Sequence, residues 1–270
     1  RIQRNNTMQF ITQLGFTSVL AIWLSLSALS AQTETVTTNN EPAAPQLPEY
    51  IVSANTYPVP SNEVGSTVHT LSREDLELGQ TTFVLDALRE LPGVSVRNSG
   101  GPGNGFGIST RGLSDAPVML IDGIEVSNPT DGRILNPGTL FTNNIERIEF
   151  LKGGQSTLYG ADALAGVISI ETRKVQDGQT KFSLNSSIGS FNTKMGSFGV
   201  RSQQGPLDFS ANISRQTSDG FSAQPTNNEN DAYNNTSIQA KVGYELTDTI
   251  TVFTSIYYID AFSQSDAGEY

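Results

Sequence analysis

The chain is expected to fold as a small α+β domain followed by the first antiparallel strands of a transmembrane β-barrel. Three observations carry that expectation. Between residues 58 and 175, short apolar runs switch between the period of a strand and that of a helix. From residue 181 the period settles at two. Leu207, Phe209, Ala211 and Ile213 alternate with Asp208, Ser210, Asn212 and Ser214, and Ile238, Ala240, Val242, Tyr244 and Leu246 alternate with Gln239, Lys241, Gly243 and Glu245. Segments of about ten residues with one polar face have the form of barrel strands. Link lengths supply the third observation. Strands over 181–189, 194–203, 207–216, 236–246 and 249–259 leave tight links at 204–206 and 247–248 and a long acidic one at 217–235, with the short 190–193 as the exception. A soluble sandwich alternates in the same way but has no reason to gather length at one end. The barrel is preferred.

In chain order, Arg1 and Arg4 precede an apolar stretch over 14–29, and Ala28, Ser30 and Ala31 offer small residues for cleavage. That is the form of an export signal over 1–31, and it is short for a bilayer span of about 20 residues. Residues 32–48 are polar and carry Pro42, Pro45 and Pro48, a flexible linker. Glu49, Tyr50, Ile51, Val52, Ser53 and Ala54 form an isolated strand-prone run. Such a run suits addition to the sheet edge of a partner, or else it is the first strand of the domain that follows.

A strand over 64–71 leads to Ser72, whose spacing to Asp75 marks a helix start. Thr81 or Thr82 then caps a second helix bearing Phe83, Val84, Ala87, Leu88 and Leu91 at helical spacing, and Pro92-Gly93 stops it. Strands over 94–97, 107–111 and 118–121 follow, with a loop over 98–106 and a turn at Asp122-Gly123. Two more, 145–151 and 165–172, flank a crossing rich in glycine at Gly153, Gly154, Gly160 and Gly166. Glycine there implies sharp turning or close backbone approach.

Composition excludes several functions. A net charge of −11 with a pI near 4.5 argues against nucleic acid as a partner. Without cysteine there is no disulfide, thiolate nucleophile or thiolate metal ligand. The single histidine, His69, falls in an expected strand and reads as structural; no serine sits in a nucleophile elbow. Glu74 and Asp75 suit a helix start. The glycine-rich run over 100–107 leads from strand to strand without a cation, so a mobile loop fits it better than a phosphate cradle. No enzyme is expected. Arg111, Arg147, Glu149 and Lys152 are charges that a domain lodged in a polar lumen can pair with the wall, or else ordinary solvated charges.

The run ERIEFLKGGQSTLYGADALAGVISIETR, with ALRELPGVSV and STRGLSDAPVMLIDG before it in that order, resembles the plug domain of TonB-dependent outer-membrane receptors. The resemblance implies a signal peptide at 1–31, a linker at 32–48, a TonB box at 49–57, a plug at 58–175 and barrel strands from 176 to 270. It implies a barrel of about 22 strands when complete, set in the bacterial outer membrane among its lipids. It also implies uptake of a scarce nutrient with energy relayed by TonB and its inner-membrane complex, through Glu49–Ala54 as an added strand. The segments align best with vitamin B12 receptors, ahead of ferric siderophore receptors, glycan receptors and those for other metal chelates. A receptor that mainly signals or adheres is the alternative, disfavoured because 32–48 is too short for an extra folded domain. By the same resemblance, the outward loops around Asn98, Asn104, Phe106, Asn128, Asp131 and Arg133 line the ligand site. Arg111, Arg147, Glu149 and Lys152 make plug–barrel contacts. No cofactor is required, and Glu229, Asp231, Asp260 and Asp266 resemble the calcium-ordered loops of cobalamin-type receptors, with solvated charges as the alternative.

Overall fold

The computed structural model describes residues 50–51, 59–60, 67–110, 112–114, 117–127, 134–160, 163–222, 230–247 and 250–264. The signal and linker expected over 1–48 lie outside them, as do Glu49, Val52, Ser53, Ala54, Arg111, Asn128, Asp131, Arg133, Glu229 and Asp266.

Strands β1 (Tyr50–Ile51) and β2 (Val59–Pro60) pair antiparallel, Tyr50 opposite Pro60. Then β3 (Val68–Ser72) runs into helix α1 (Arg73–Leu78). Ser72 and Asp75 close a reciprocal cap: the Asp75 amide donates to Ser72 Oγ at 3.2 Å and the Ser72 amide to Asp75 Oδ2 at 2.8 Å. Helix α2 (Val84–Glu90) starts differently from the expectation. Its N-cap is Phe83, and neither Thr81 nor Thr82 caps it. The Val84 amide instead donates to the Leu140 carbonyl, and the Thr81 hydroxyl donates back to Leu76 O. A tertiary carbonyl has taken the place of a local cap.

The remaining strands of the α+β domain are β4 (Val94–Asn98), β5 (Phe106–Thr110), β6 (Leu113–Ser114), β7 (Val118–Ile121), β8 (Ile124–Glu125), β9 (Ile145–Lys152) and β10 (Gly166–Thr172), with a one-turn helix α3 (Ser156–Tyr159) between the last two. They form a five-stranded sheet in the order β3-β9-β10-β7-β8 and an antiparallel β4-β5-β6 sheet. In the larger sheet only β10 and β7 run parallel. Both of its faces are covered. On one lie Leu76, Leu85, Leu88, Ile108, Ile148 and Phe150; on the other lie Val118, Leu120, Leu151, Ala163 and Val167. That explains why β7 reads as an unbroken apolar run rather than alternating. Fully buried side chains such as Leu88, Ile148 and Phe150 contribute roughly 1.5–3 kcal/mol each. Asp122 and Gly123 both have positive φ, 50° and 81°, the conformation of a tight hairpin turn between β7 and β8. Gly166 has φ 131°, and a Cβ there would collide with the Leu151 carbonyl oxygen. The close approach expected of this glycine is real.

Beyond a short connection, β11 (Thr180–Gly189), β12 (Thr193–Gln204), β13 (Leu207–Ser218), β14 (Tyr233–Thr247) and β15 (Ile250–Ser263) form a continuous antiparallel sheet in sequence order. Strands of ten to fifteen residues match the 9–11 or so that cross a bilayer at a tilt. One face is apolar and exposed, with Phe182, Leu184, Phe198, Ile213, Val242 and Ile256. The other carries Ser197, Arg201, Ser210, Asn212, Ser214 and Ser237, all buried. Polar residues are buried there because the α+β domain lies on that face. Among the described residues the five strands form an open sheet with β11 and β15 at its edges. Among the described residues no helix is long and apolar enough to cross a membrane.

Candidate ligand pocket and domain seam

The seam between the α+β domain and the strands is built largely from asparagines. Asn143 donates to Ser214 Oγ at 2.7 Å and Asn144 to Gln239 Oε1 at 3.1 Å. Asn235, wholly buried in β14, donates to the Thr139 carbonyl at 2.9 Å and to the Tyr233 hydroxyl at 2.8 Å. Tyr233 packs edge-on against Phe83 with ring centroids 5.8 Å apart, and Phe83 lies 5.1 Å from Phe141. An ion pair across the seam joins Lys241 Nζ to Asp122 Oδ2 at 2.9 Å. Both side chains are nearly buried, 12% and 6% exposed. Asp122 also accepts from the Thr172 amide at 2.9 Å and the Thr172 hydroxyl at 2.7 Å, while Lys241 Nζ lies 4.9 Å from the Phe253 ring centroid.

Of the charges picked out by the sequence, Arg147, Glu149 and Lys152 lie on β9, and Arg111 lies outside the described residues. Arg147 pairs with Glu149 at 3.1 Å and with Glu171 at 2.9 Å, all three on β9 and β10, so these pairs tie the sheet. Glu149 is fully buried and Arg147 is its counter-charge. Lys152 ends β9 and borders a cleft of about 260 Å³ with Thr67, Gly93 and Thr110. Its ammonium and, above all, burial lower the pKa of His69 and favour the neutral ring. Sequence reasoning missed Asp122 and Lys241 because Asp122 already had a sufficient role as a turn residue.

A cavity of about 480 Å³ opens at the end of the sheet that carries the long β13–β14 link. Gly100, Gly101 and Pro102 of the domain's apical loop form one side. Phe191 from the β11–β12 turn, Phe221 and Tyr233 supply aromatic surface on the other, and Gln216 and Asp231 add polar groups. The end with longer links faces outward in barrels of this kind, so the cavity lies on the outer side of the seam.

The residues expected to line it divide. Asn98 closes β4, its Oδ1 buried and without a hydrogen-bond partner among the described residues. Asn104 bonds the wall instead: its Nδ2 donates to the Gln264 carbonyl at 3.2 Å and its Oδ1 accepts from Ser263 at 2.7 Å. Phe106 is not in the loop at all. It begins β5, shares a face with buried Ile108 and Thr110, and packs on the core, as period two dictates.

Asp260, expected in a loop beside Asp231, lies within β15 opposite Thr236. It shares parity with the outward-facing Ile256 and Tyr258, whereas Asp231 precedes the inward Tyr233 by two. Asp231 lies before the start of β14, five residues ahead of Thr236, the partner of Asp260. Among the described residues no three His, Asp or Glu side chains gather as a metal site.

Comparison with known proteins fits this arrangement. Residues 60–167 match the model of the TonB-dependent receptor plug domain. The chain carries the plug of a TonB-dependent receptor. It is 27% identical over 223 residues to the vitamin B12 transporter BtuB of Vibrio vulnificus, a match covering 81% of this chain and 36% of that protein. Its fold resembles that of the ferripyoverdine receptor of the outer membrane of Pseudomonas aeruginosa, with a TM-score of 0.64 at 19% identity over 79% of this chain and 28% of that one. It also resembles the ferric yersiniabactin uptake receptor FyuA of Yersinia pestis, with a TM-score of 0.57 at 24% identity over 70% of this chain and 31% of that one. The chain thus spans about a third of the length of these relatives. By that likeness of fold, β11–β15 match the antiparallel barrel strands that follow the plug.

Proposed function

We propose that the receptor binds a scarce nutrient above the plug and imports it to the periplasm with energy relayed by TonB. The pocket carries this reading: it is bounded by the plug's apical loop on one side and by barrel residues on the other. A ligand seated there touches both bodies, so displacing the plug alters its affinity, and that differential binding is what can release it inward. Uptake of this kind leaves the substrate's bonds unchanged. The names of the relatives, a vitamin B12 transporter and receptors for ferric chelates, support nutrient uptake and leave cobalamin and ferric siderophores as the candidates.

The partner segment is the run Glu49, Tyr50, Ile51, Val52, Ser53 and Ala54. Tyr50 and Ile51 adopt strand geometry with one edge taken by Val59 and Pro60, which leaves the opposite edge for a strand of TonB. The test is uptake by cells expressing the full-length receptor, using radiolabelled cyanocobalamin and ferric chelates. Deleting 49–54 is expected to abolish TonB-dependent accumulation while surface binding persists. Accumulation undiminished by the deletion would refute the coupling.

A further inference from the structure

The outward face of β11–β15 carries a feature that nutrient uptake does not use. Strand register sorts this face into rows. Leu184, Phe198 and Ile213 share one row, and Phe182, Val200 and Ala211 share the next toward the inner end. The two rows on their outer side change character. Arg215 lies opposite Gly196 and Lys194 lies opposite Thr217, which makes the two bases diagonal neighbours on β13 and β12. Diagonal positions stand about 7–8 Å apart, so long side chains there can meet on one group. Both are exposed. Among the described residues neither forms an ion pair.

The acid on this face is Asp260, in the row of Arg215 but two strands away across Thr236. Two strand spacings are about 9–10 Å, too far for a pair. Solvating the outer rim needs no charge, since Thr217, Asn234 and Thr236 already supply hydroxyls and an amide there. Two adjacent bases without an acid also run against a chain whose net charge is −11. Their placement fits a different demand. Long basic side chains lay their stems on apolar surface and hold their heads in the polar layer.

The ground between the bases is open. A Cβ added at Gly196 would meet nothing within 4 Å, so Arg215 faces bare backbone, with the Ser186 position on the far side of that glycine. Just inward of this notch, Phe182 and Phe198 stack with ring centroids 6.4 Å apart at 26°, and Leu184 is 76% exposed. A paired cationic notch thus stands directly on an apolar slope, at the end of the sheet that faces outward.

We propose that Lys194 and Arg215 bind the phosphate of an outer-leaflet lipid whose acyl chains run down the apolar face over Phe198 and Leu184. The phosphate sits over Gly196, where both cations reach it by charge-assisted hydrogen bonds, on the side away from Asp260. The chains bury apolar surface that the strands leave exposed.

The test is native mass spectrometry of the full-length receptor in a neutral detergent. The probes are dioleoylphosphatidic acid, dioleoylglycerol, which has the chains without the phosphate, and inorganic phosphate. Phosphatidic acid is expected to be retained and the other two are not. A basic residue beside anionic lipid contributes roughly fivefold in affinity. K194Q and R215Q are each expected to weaken retention by about that factor, and K194Q/R215Q by roughly 25-fold. K194R, which keeps the charge, is expected to stay within about twofold of the parent and so separates lost charge from misfolding. Equal retention of phosphatidic acid and dioleoylglycerol overturns the proposal, as does retention that the double variant leaves unchanged. Inorganic phosphate displacing phosphatidic acid at equal concentration would make this a free-anion site and overturn the lipid assignment.

Discussion

The Asp122–Lys241 pair gives the sharpest handle on how the plug is held. At 2.9 Å the two charges attract by about 6 kcal/mol if the effective dielectric is about 20. Desolvating each ion costs several kcal/mol in return. The pair taken whole therefore contributes little net stability, but removing one partner leaves the other charge stranded. K241M strands Asp122 beneath β14 with the two Thr172 hydrogen bonds as its remaining support. Such one-sided losses cost about 3–5 kcal/mol, which shifts the population of lifted plugs by a hundredfold or more. D122N is the conservative counterpart, because asparagine tolerates the φ of 50° found there. In the double variant D122N/K241M no charge is stranded, so the cost should fall below that of K241M alone. The assay exploits the absence of cysteine in this chain. A thiol placed at Ser214, which is buried beneath Asn143, reacts with maleimide only when the plug lifts, and its rate can be followed against urea in the full-length receptor. Single-variant effects that add within about 0.5 kcal/mol in the double variant would show that the two charges are not coupled and would refute the reasoning.

Other expectations follow from single features. S72A removes the cap of α1 and should lower plug stability by about 1 kcal/mol, measured by urea unfolding. The side-chain hydrogen bond from Ser72, then the one from its amide, hold the Asp75 pKa below the ordinary aspartate range. A depressed acid stabilises above its unfolded pKa and loses that contribution as pH falls through the folded one. The acid sensitivity of α1 should therefore appear below about pH 4 and be blunted in S72A, as a pH titration by circular dichroism would reveal. G166A should disrupt the plug more than G160A. Both positions have positive φ, but the added methyl at 166 meets Leu151 O and the Phe150 ring, whereas the one at 160 meets nothing within 4 Å; relative yield and melting temperature report the difference. D260N should leave any calcium binding unaltered in a CaCl₂ titration, because its side chain lies on the outward face of β15 away from Asp231.

Much of this architecture was legible because solvent sides enforce it. Strands β11–β15 have an exposed apolar face on one side and the α+β domain on the other, so every position along them declares its side, and their expected limits agree with the observed ones to within a few residues. Helix α2 was legible for a similar reason: Val84, Ala87, Leu88 and Leu91 keep one face in the core. What escaped was short or distant. Four residues of α3 make a single turn, too few to show a period. Phe83 caps nothing by itself, and the carbonyl that serves α2 comes from Leu140, more than fifty residues away. Phe106 reads as part of the glycine-rich loop because glycines surround it, yet β5 begins there and pairs it with Asn98. Asp260 was placed in a loop because the apolar alternation stops, though the ladder runs on to Ser263. The seam itself was invisible: asparagine reads as a turn former, and nothing local marks one that will reach across to another sheet.

One property of that seam concerns its history rather than its strength. Asn235 and Tyr233 grip the carbonyls of Thr139 and Gly138, at 2.9 and 3.4 Å, not their side chains. A wall that reads main chain is blind to substitutions at the positions it holds. Drift at residue 139 can proceed without a matching change in β14, so comparisons of related sequences will find little covariation across a contact that is nonetheless physical. Asp122 and Lys241 should behave in the opposite way, changing together or not at all.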